Sequence, residues 1–347
     1  MLNQKALAAS ASKAVTALAI GQTTSPYIFV YEWSSSGFGQ KYSDPATSPT
    51  GAIRGLAWSP DGSALACAQD GSPYINVYAW NAGFGTKFSN PATLPAGNGK
   101  SVTFNPSGDV IVVGHENSPY VSAYAWSSSG FGSKYTNPSS LPSNYRNAVA
   151  FSPNGSYLAT GGAVQFGQSS PYIKTYPWSS GFGSAYSNPA TVPGGVVNGV
   201  RFSPNNDALV AAHNGGASVT AYPWSASGYG TKYADPSTSL PDNGYDVAFS
   251  PDGADVAIAH AASPRVSVYE WSSASGFGSK YSNPATLPTG NGAGVSFDPN
   301  GDNIAVAHSS SPFVSVYPWS SGFGTKYADP STLMPFGYPE CIAFKPE

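Results

Sequence analysis

The stretch Gly99–Pro142, "GKSVTFNPSGDVIVVGHENSPYVSAYAWSSSGFGSKYTNPSSLP", decides the fold. It divides into four short runs rich in β-branched and aromatic residues: "KSVTF", "VIVVGH", "YVSAYAW" and "SKYTN". Between them stand "NPSGD", "ENSP" and "SSSGFG", whose Pro, Gly, Asn and Asp residues break any regular element. The unit reads as four strands, a to d, joined by tight turns into an antiparallel meander.

The same unit recurs along the chain. A Val-Tyr-x-Trp phrase, loosely kept, puts Trp at 33, 80, 126, 178, 224, 271 and 319. An aromatic-x-Pro phrase ending strand a puts Pro at 60, 106, 153, 204, 251, 299 and 346. Each series covers 286 residues in six steps, so two separate landmarks give seven copies of about 48 residues. One four-stranded unit cannot bury both of its faces, but seven in a ring bury one another. The expected fold is therefore all-β, a seven-bladed propeller of four-stranded antiparallel blades.

The ends of the chain carry the closure. The sequence stops at "CIAFKPE", a strand a with no b, c or d, and starts near Val15 with "VTALAIGQTTSPYIFVYEW", a b and c with no a. The C-terminal strand is expected to complete the N-terminal blade. The propeller then occupies 13–347, and residues 1–12 are a tail. The apolar run at the N-terminus is interrupted by Lys13 and its end is needed by the first blade, so it is not read as a signal peptide. No stretch is long and apolar enough to span a membrane as a helix.

At "VAFSPNGSYLATGG", "VAFSPDGADVAIAH" and "VSVYEW" the chain resembles the WD-repeat type of β-propeller, over nearly its whole length. It departs from that family in having no Gly-His pair before strand a and no Asp after the strand-c Trp. The phrase "GFGxKYxNPxxLP" also resembles repeats of tailed-bacteriophage proteins, a likeness that implies a virion-associated protein facing the particle or the host surface.

Composition excludes some classes. Charged residues are 10% of the chain and the net charge is −3, with no basic block to displace counterions, so nucleic acid is not an expected partner. Cys67 and Cys341 form neither a disulfide framework nor a metal-ligand pattern and read as buried thiols. His115, His213, His260 and His308 all end strand b, where Gln22, Gln69 and Gly162 stand in the other blades. One per blade around a ring cannot converge on a metal, so no metal or cofactor is expected and these residues read as ties between the b–c loop and its neighbour. The glycine before each c–d aromatic reads as a turn residue rather than a phosphate cradle, because no helix follows it.

Function is sought where the copies differ. Four residues before the strand-a aromatic the chain carries Arg54, Lys100, Asn147, Asn198, Tyr245, Ala293 and Glu340. These should rim the central funnel on the face of the b–c and d–a loops. Asp246 and Arg201 break small-residue positions nearby. The b–c loop after Gly162 is longer than the others and carries Phe166, and the remaining b–c loops mostly read Ser-Pro-aromatic, a crown that could cap blades or stack on sugars. The candidate binding residues are thus Arg54, Lys100, Asn147, Phe166, Tyr245 and Glu340. Among the rim positions only Glu340 and Asp246 are acidic and no histidine joins them, so no catalytic residue is assigned. The expectation is a non-enzymatic scaffold made in the cytoplasm and assembled into a virion, binding a protein or a surface glycan. A lectin-like propeller and a funnel-site lactonase-like hydrolase are the alternatives.

Overall fold

A computed structural model describes residues 16–142, 144–163 and 172–347. The expected tail, 1–12, and Phe166 lie outside the described residues. The described residues form seven antiparallel sheets in a ring and contain no helix. The first blade is composite: Pro339–Phe344 is its strand a, followed by Thr16–Gln22, Ile28–Ser34 and Gly37–Lys41. Its closing register pairs Leu18 with Phe344, Ile20 with Ile342 and Gly21 with Cys341. Strands a of the remaining blades are Ile53–Trp58, Gly99–Phe104, Arg146–Phe151, Val197–Phe202, Gly244–Phe249 and Gly292–Phe297, and they neighbour one another around the axis.

Every strand b is buried along nearly its whole length, as a strand with a blade packed on each face must be. Between blades the core repeats one motif. Each strand-c Trp meets the same three rings edge to face, the strand-a aromatic and c–d aromatic of its own blade and the outer aromatic of the blade before, and Trp224 meets Tyr157 as a fourth. Around Trp126 the three are Phe104, Phe131 and Phe88, at 5.6, 5.1 and 5.0 Å. Around Trp33, at the closure, they are Phe344, Phe38 and Tyr327 at 5.6, 5.1 and 5.1 Å, so the seam formed by the two chain ends is built like the others. The repeated glycine has two reasons to be there. Gly130 has φ +101°, and a Cβ on it would lie 3.2 Å from the Phe88 ring of the preceding blade.

Blades differ at the outer strand. It spans four or five residues in blades 1, 2, 3 and 6, two in blade 5 (Gly228–Tyr229), and one bridge in blades 4 and 7, Trp178 to Phe182 and Trp319 to Phe323. The cause is the residue before the Trp. In blade 3 the Trp126 N–H donates inward to the Asp109 carbonyl (2.7 Å), so Ala125 directs its N–H at strand d. Blades 4, 5 and 7 carry Pro177, Pro223 and Pro318 there, which have no N–H to give. Their carbonyls still accept from the outer segment, as Pro318 does from Gly324 at 2.8 Å.

The histidines bond chiefly within their own blades, which narrows the sequence reading, and His308 also reaches the adjoining d–a loop, its Nδ1 3.5 Å from Thr289 Oγ1. His115, His260 and His308 each place Nε2 3.0 Å from the Ser122, Ser267 or Ser315 hydroxyl on the paired strand c, and His213 lies 2.8 Å from Thr220. Burial pushes the imidazoles of His115, His260 and His308 down to about 4.

Candidate functional site

All seven rim positions converge. Arg54, Lys100, Asn147, Asn198, Tyr245, Ala293 and Glu340 line one funnel of about 780 Å³ at the axis, on the face of the b–c and d–a loops. Each sits near the start of a strand a, so its side chain enters the space that the ring cannot fill. Just below, small residues let the inner strands touch: a Cβ on Gly55 would come within 2.7 Å of the Ser101 Cα.

The funnel wall has two halves. On the side of blades 1 to 3 the charged groups form a chain. Glu340 Oε1 accepts from Arg54 Nη1 at 2.9 Å, and Arg54 Nε and Nη2 donate to Asp70 Oδ2 at 3.0 and 2.7 Å. Lys100 Nζ lies 3.4 Å from Asp70 Oδ1 and 2.7 Å from Glu116 Oε1. Two cations thus hold three carboxylates. Burial pushes the Glu340 carboxyl above the usual glutamate range, an effect that Arg54 and Lys100 oppose. Asp70 moves the other way, because its bonds to Arg54 and the charge of Lys100 outweigh burial. Arg54 itself is held above its ordinary value: burial alone would lower it, and Asp70 and Glu340 more than compensate.

On the side of blades 4 and 5 the wall is neutral. Asn147 Nδ2 donates to Asn198 Oδ1 (3.2 Å), and Asn198 Nδ2 donates to Asn214 Oδ1 (2.8 Å) and the Gly244 carbonyl (2.9 Å). Tyr145 of blade 4, Tyr245 of blade 6 and Tyr338, next to blade 1, also line the funnel. Deeper in the channel Asp246 accepts from the Val247 and Val295 N–H groups at 2.9 and 3.1 Å, bridging two blades, with Arg201 3.8 Å away. The b–c aromatics are not a crown on the surface: Phe313 is buried, and Tyr27, Tyr74, Tyr120 and Tyr172 are half-buried.

Sequence reasoning missed Asp70 and Glu116. Each directly follows the last residue of strand b, Gln69 and His115, and the same position supplies Asn214 and Ser309 to the funnel. The signal was present, because that position reads Thr23, Asp70, Glu116, Ala163, Asn214, Ala261 and Ser309 and so varies as freely as the strand-a rim. Among the described residues no group of three or more His, Cys, Asp or Glu has the arrangement of a metal site.

The family model "WD domain, G-beta repeat" matches residues 43–75 and 141–163, which hold the strand-a and strand-b pairs of blades 2 and 4. The chain is a WD-repeat-like β-propeller. No curated protein matches it. Among solved structures it is similar to two proteins provisionally named 6-phosphogluconolactonase. That of Bacteroides uniformis has a TM-score of 0.69 at 16% identity, over 95% of this chain and 99% of that one. That of Bacteroides fragilis has 0.69 at 14%, over 96% and 99%. The periplasmic gluconolactonase of Pseudomonas aeruginosa is similar with a TM-score of 0.65 at 15% identity, over 96% and 99%. At such identities the likeness establishes the fold. It nevertheless overturns the expectation of a non-enzymatic, virion-attached scaffold, because end-to-end neighbours carry lactonase names. The scarcity of acids behind that expectation is eased too, since Glu116 lines the funnel and Asp70 bonds to Arg54 and Lys100 behind it, while no histidine lines it among the described residues.

Proposed function

We propose that the funnel binds a small, uncharged, polyhydroxylated lactone and hydrolyses it, with Glu340 as general base. The observation that carries this reading is the Glu340–Arg54–Asp70–Lys100–Glu116 chain opposite a wall of amides and phenols. Asparagine and tyrosine side chains supply donors and acceptors in the mixture that sugar hydroxyls need. The ion chain supplies the chemistry. Water loses a proton to the Glu340 carboxylate while its oxygen attacks the lactone carbonyl carbon. Arg54, whose Nη1 already lies at Glu340, offers positive charge to the oxyanion that forms. The ring C–O bond then breaks, Glu340 returns the proton to the departing alkoxide, and a hydroxy acid leaves. A carboxylate with raised proton affinity suits both halves of that cycle.

Charge balance selects the substrate. Arg54 and Lys100 are already engaged by three carboxylates, leaving an excess of one negative charge. A phosphorylated lactone would find no unpaired cation among these five linked side chains, whereas a neutral one meets no penalty and its carboxylate product is repelled. The test is a pH-stat assay of glucono-1,5-lactone and its 6-phosphate against their spontaneous hydrolysis. Faster turnover of the neutral lactone is expected. A preference for the phosphate would refute the charge argument, and no acceleration of either would refute the function.

A further inference from the structure

Residues 333–338 close the d–a loop between blade 7 and the composite blade. They hold three of the six exposed large apolar side chains among the described residues: Leu333 at 48%, Phe336 at 75% and Tyr338 at 51%. The backbone beneath them is fixed. Met334 is buried in the seam with blade 1, Tyr338 N–H donates to Thr23 Oγ1 (3.2 Å), and Thr23 N–H donates to the Tyr338 carbonyl (3.1 Å). Gly337 sits so close to strand b that a Cβ would lie 2.5 Å from Gln22 Oε1. The loop is pinned while its rings are left in solvent. Phe336 and Tyr338 stand edge to face, 5.8 Å apart, and Tyr338 also lines the funnel.

Packing does not require these rings. Phe336 follows the loop proline, Pro335, and the residues in that place in the other six copies are Thr50, Ala96, Ser143, Gly194, Asp242 and Thr289, all small or polar. A largely exposed aromatic in one copy of seven gains little from burial and adds apolar surface at the mouth of the funnel. The cavity itself is larger than one sugar ring fills: about 780 Å³ lies in the range of drug-sized ligands. A flat apolar ring beside amide and hydroxyl groups presents one surface to the C–H face of a pyranose and the other groups to its hydroxyls.

We propose that Phe336 and Tyr338 form an outer saccharide subsite, so that the lactone taken by the funnel is the terminal unit of a disaccharide or longer glycan. This rests on the lactonase reading for the inner unit, and the subsite is separable from it by experiment. Wild type, Phe336→Ala and Phe336→Trp are assayed with glucono-1,5-lactone and cellobiono-1,5-lactone, and titrated calorimetrically with glucose and cellobiose. The disaccharide lactone should be preferred. Phe336→Ala should lower its kcat/KM about tenfold, chiefly through KM, and leave the monosaccharide lactone unchanged, while Phe336→Trp retains the preference. Equal effects on both lactones, or none on either, would overturn the subsite. If neither lactone is hydrolysed but cellobiose binds and Phe336→Ala weakens it, the subsite stands and the lactonase reading falls. If sedimentation finds a dimer that Phe336→Ala dissolves, the rings are a contact between copies and the proposal is overturned.

Discussion

The seams between blades and the wall of the funnel are built by the same seven repeats and obey opposite rules. At the seams the residues agree: Trp126 with Phe88, Phe104 and Phe131 is matched, ring for ring, by Trp319 with Tyr281, Phe297 and Phe323. In the funnel, equivalent places hold Arg54, Lys100, Asn147 and Glu340. A packing problem posed seven times has one answer, so agreement is explained by packing. A charged chain confined to three blades has no packing reason, since the other four blades close the ring without it. The difference teaches that, in a repeat protein, the information about chemistry lies in what the repeats fail to share.

The largest expected break in this comparison is at the closing seam. Deleting Pro339–Glu347 removes strand a of the first blade, leaves Trp33 without Phe344 and uncovers Leu18 and Ile20. The ring should open, with loss of cooperative melting or with aggregation, as followed by calorimetry. A variant that melts like the parent would contradict the register.

Acid should act next, through the histidines that end strand b. His115, His260 and His308 are neutral in the fold, with pKa values near 4 against an ordinary 6.5. Below about pH 6.5 the unfolded chain binds protons that the folded one refuses. Their stabilisation is therefore whole above pH 6.5 and is lost as pH falls towards 4, at up to about 1.4 kcal/mol per histidine per pH unit. Replacing all three by Gln, the residue at the matching places 22 and 69, should flatten the fall of melting temperature between pH 6.5 and 4. An unchanged slope would show that these rings do not stay neutral.

The smallest effect tests the outer strands. Pro318→Ala restores an N–H aimed at strand d of blade 7. It should slow amide hydrogen exchange around Phe323 while changing stability by no more than about 1 kcal/mol, because the new bond is offset by a freer unfolded chain. Exchange unaffected at Phe323 would mean that proline is not what shortens that strand.

Much of this was legible in the sequence, for reasons the residues make plain. Trp and Pro series of equal span gave the blade count, and the orphan strands at the two ends gave the closure. The rim was found because its positions are counted from a strand-a aromatic that never moves. Asp70, Glu116, Phe336 and Tyr338 were missed because they stand in loops, where position has to be counted from strand b's last residue or from the loop proline. The ion chain needed coordinates: Arg54 and Glu340 are 286 residues apart and meet only because the ring closes. The shortened outer strands needed them too, since a proline in strand c matters only once its missing N–H is known to face outward.

The central claim is that varied positions carry the chemistry and repeated ones the fold. Measuring lactone hydrolysis and melting temperature side by side for Glu340→Gln and Trp126→Ala tests it most directly. Glu340→Gln should cut kcat by about 10²–10⁴-fold with little change in melting temperature, and the acid limb of the parent's pH–rate profile, which should lie above the ordinary glutamate range, should vanish with it. Trp126→Ala should cost about 3–5 kcal/mol of stability and, below its melting point, leave kcat unchanged. Activity that survives Glu340→Gln, or stability that survives Trp126→Ala, would contradict the account.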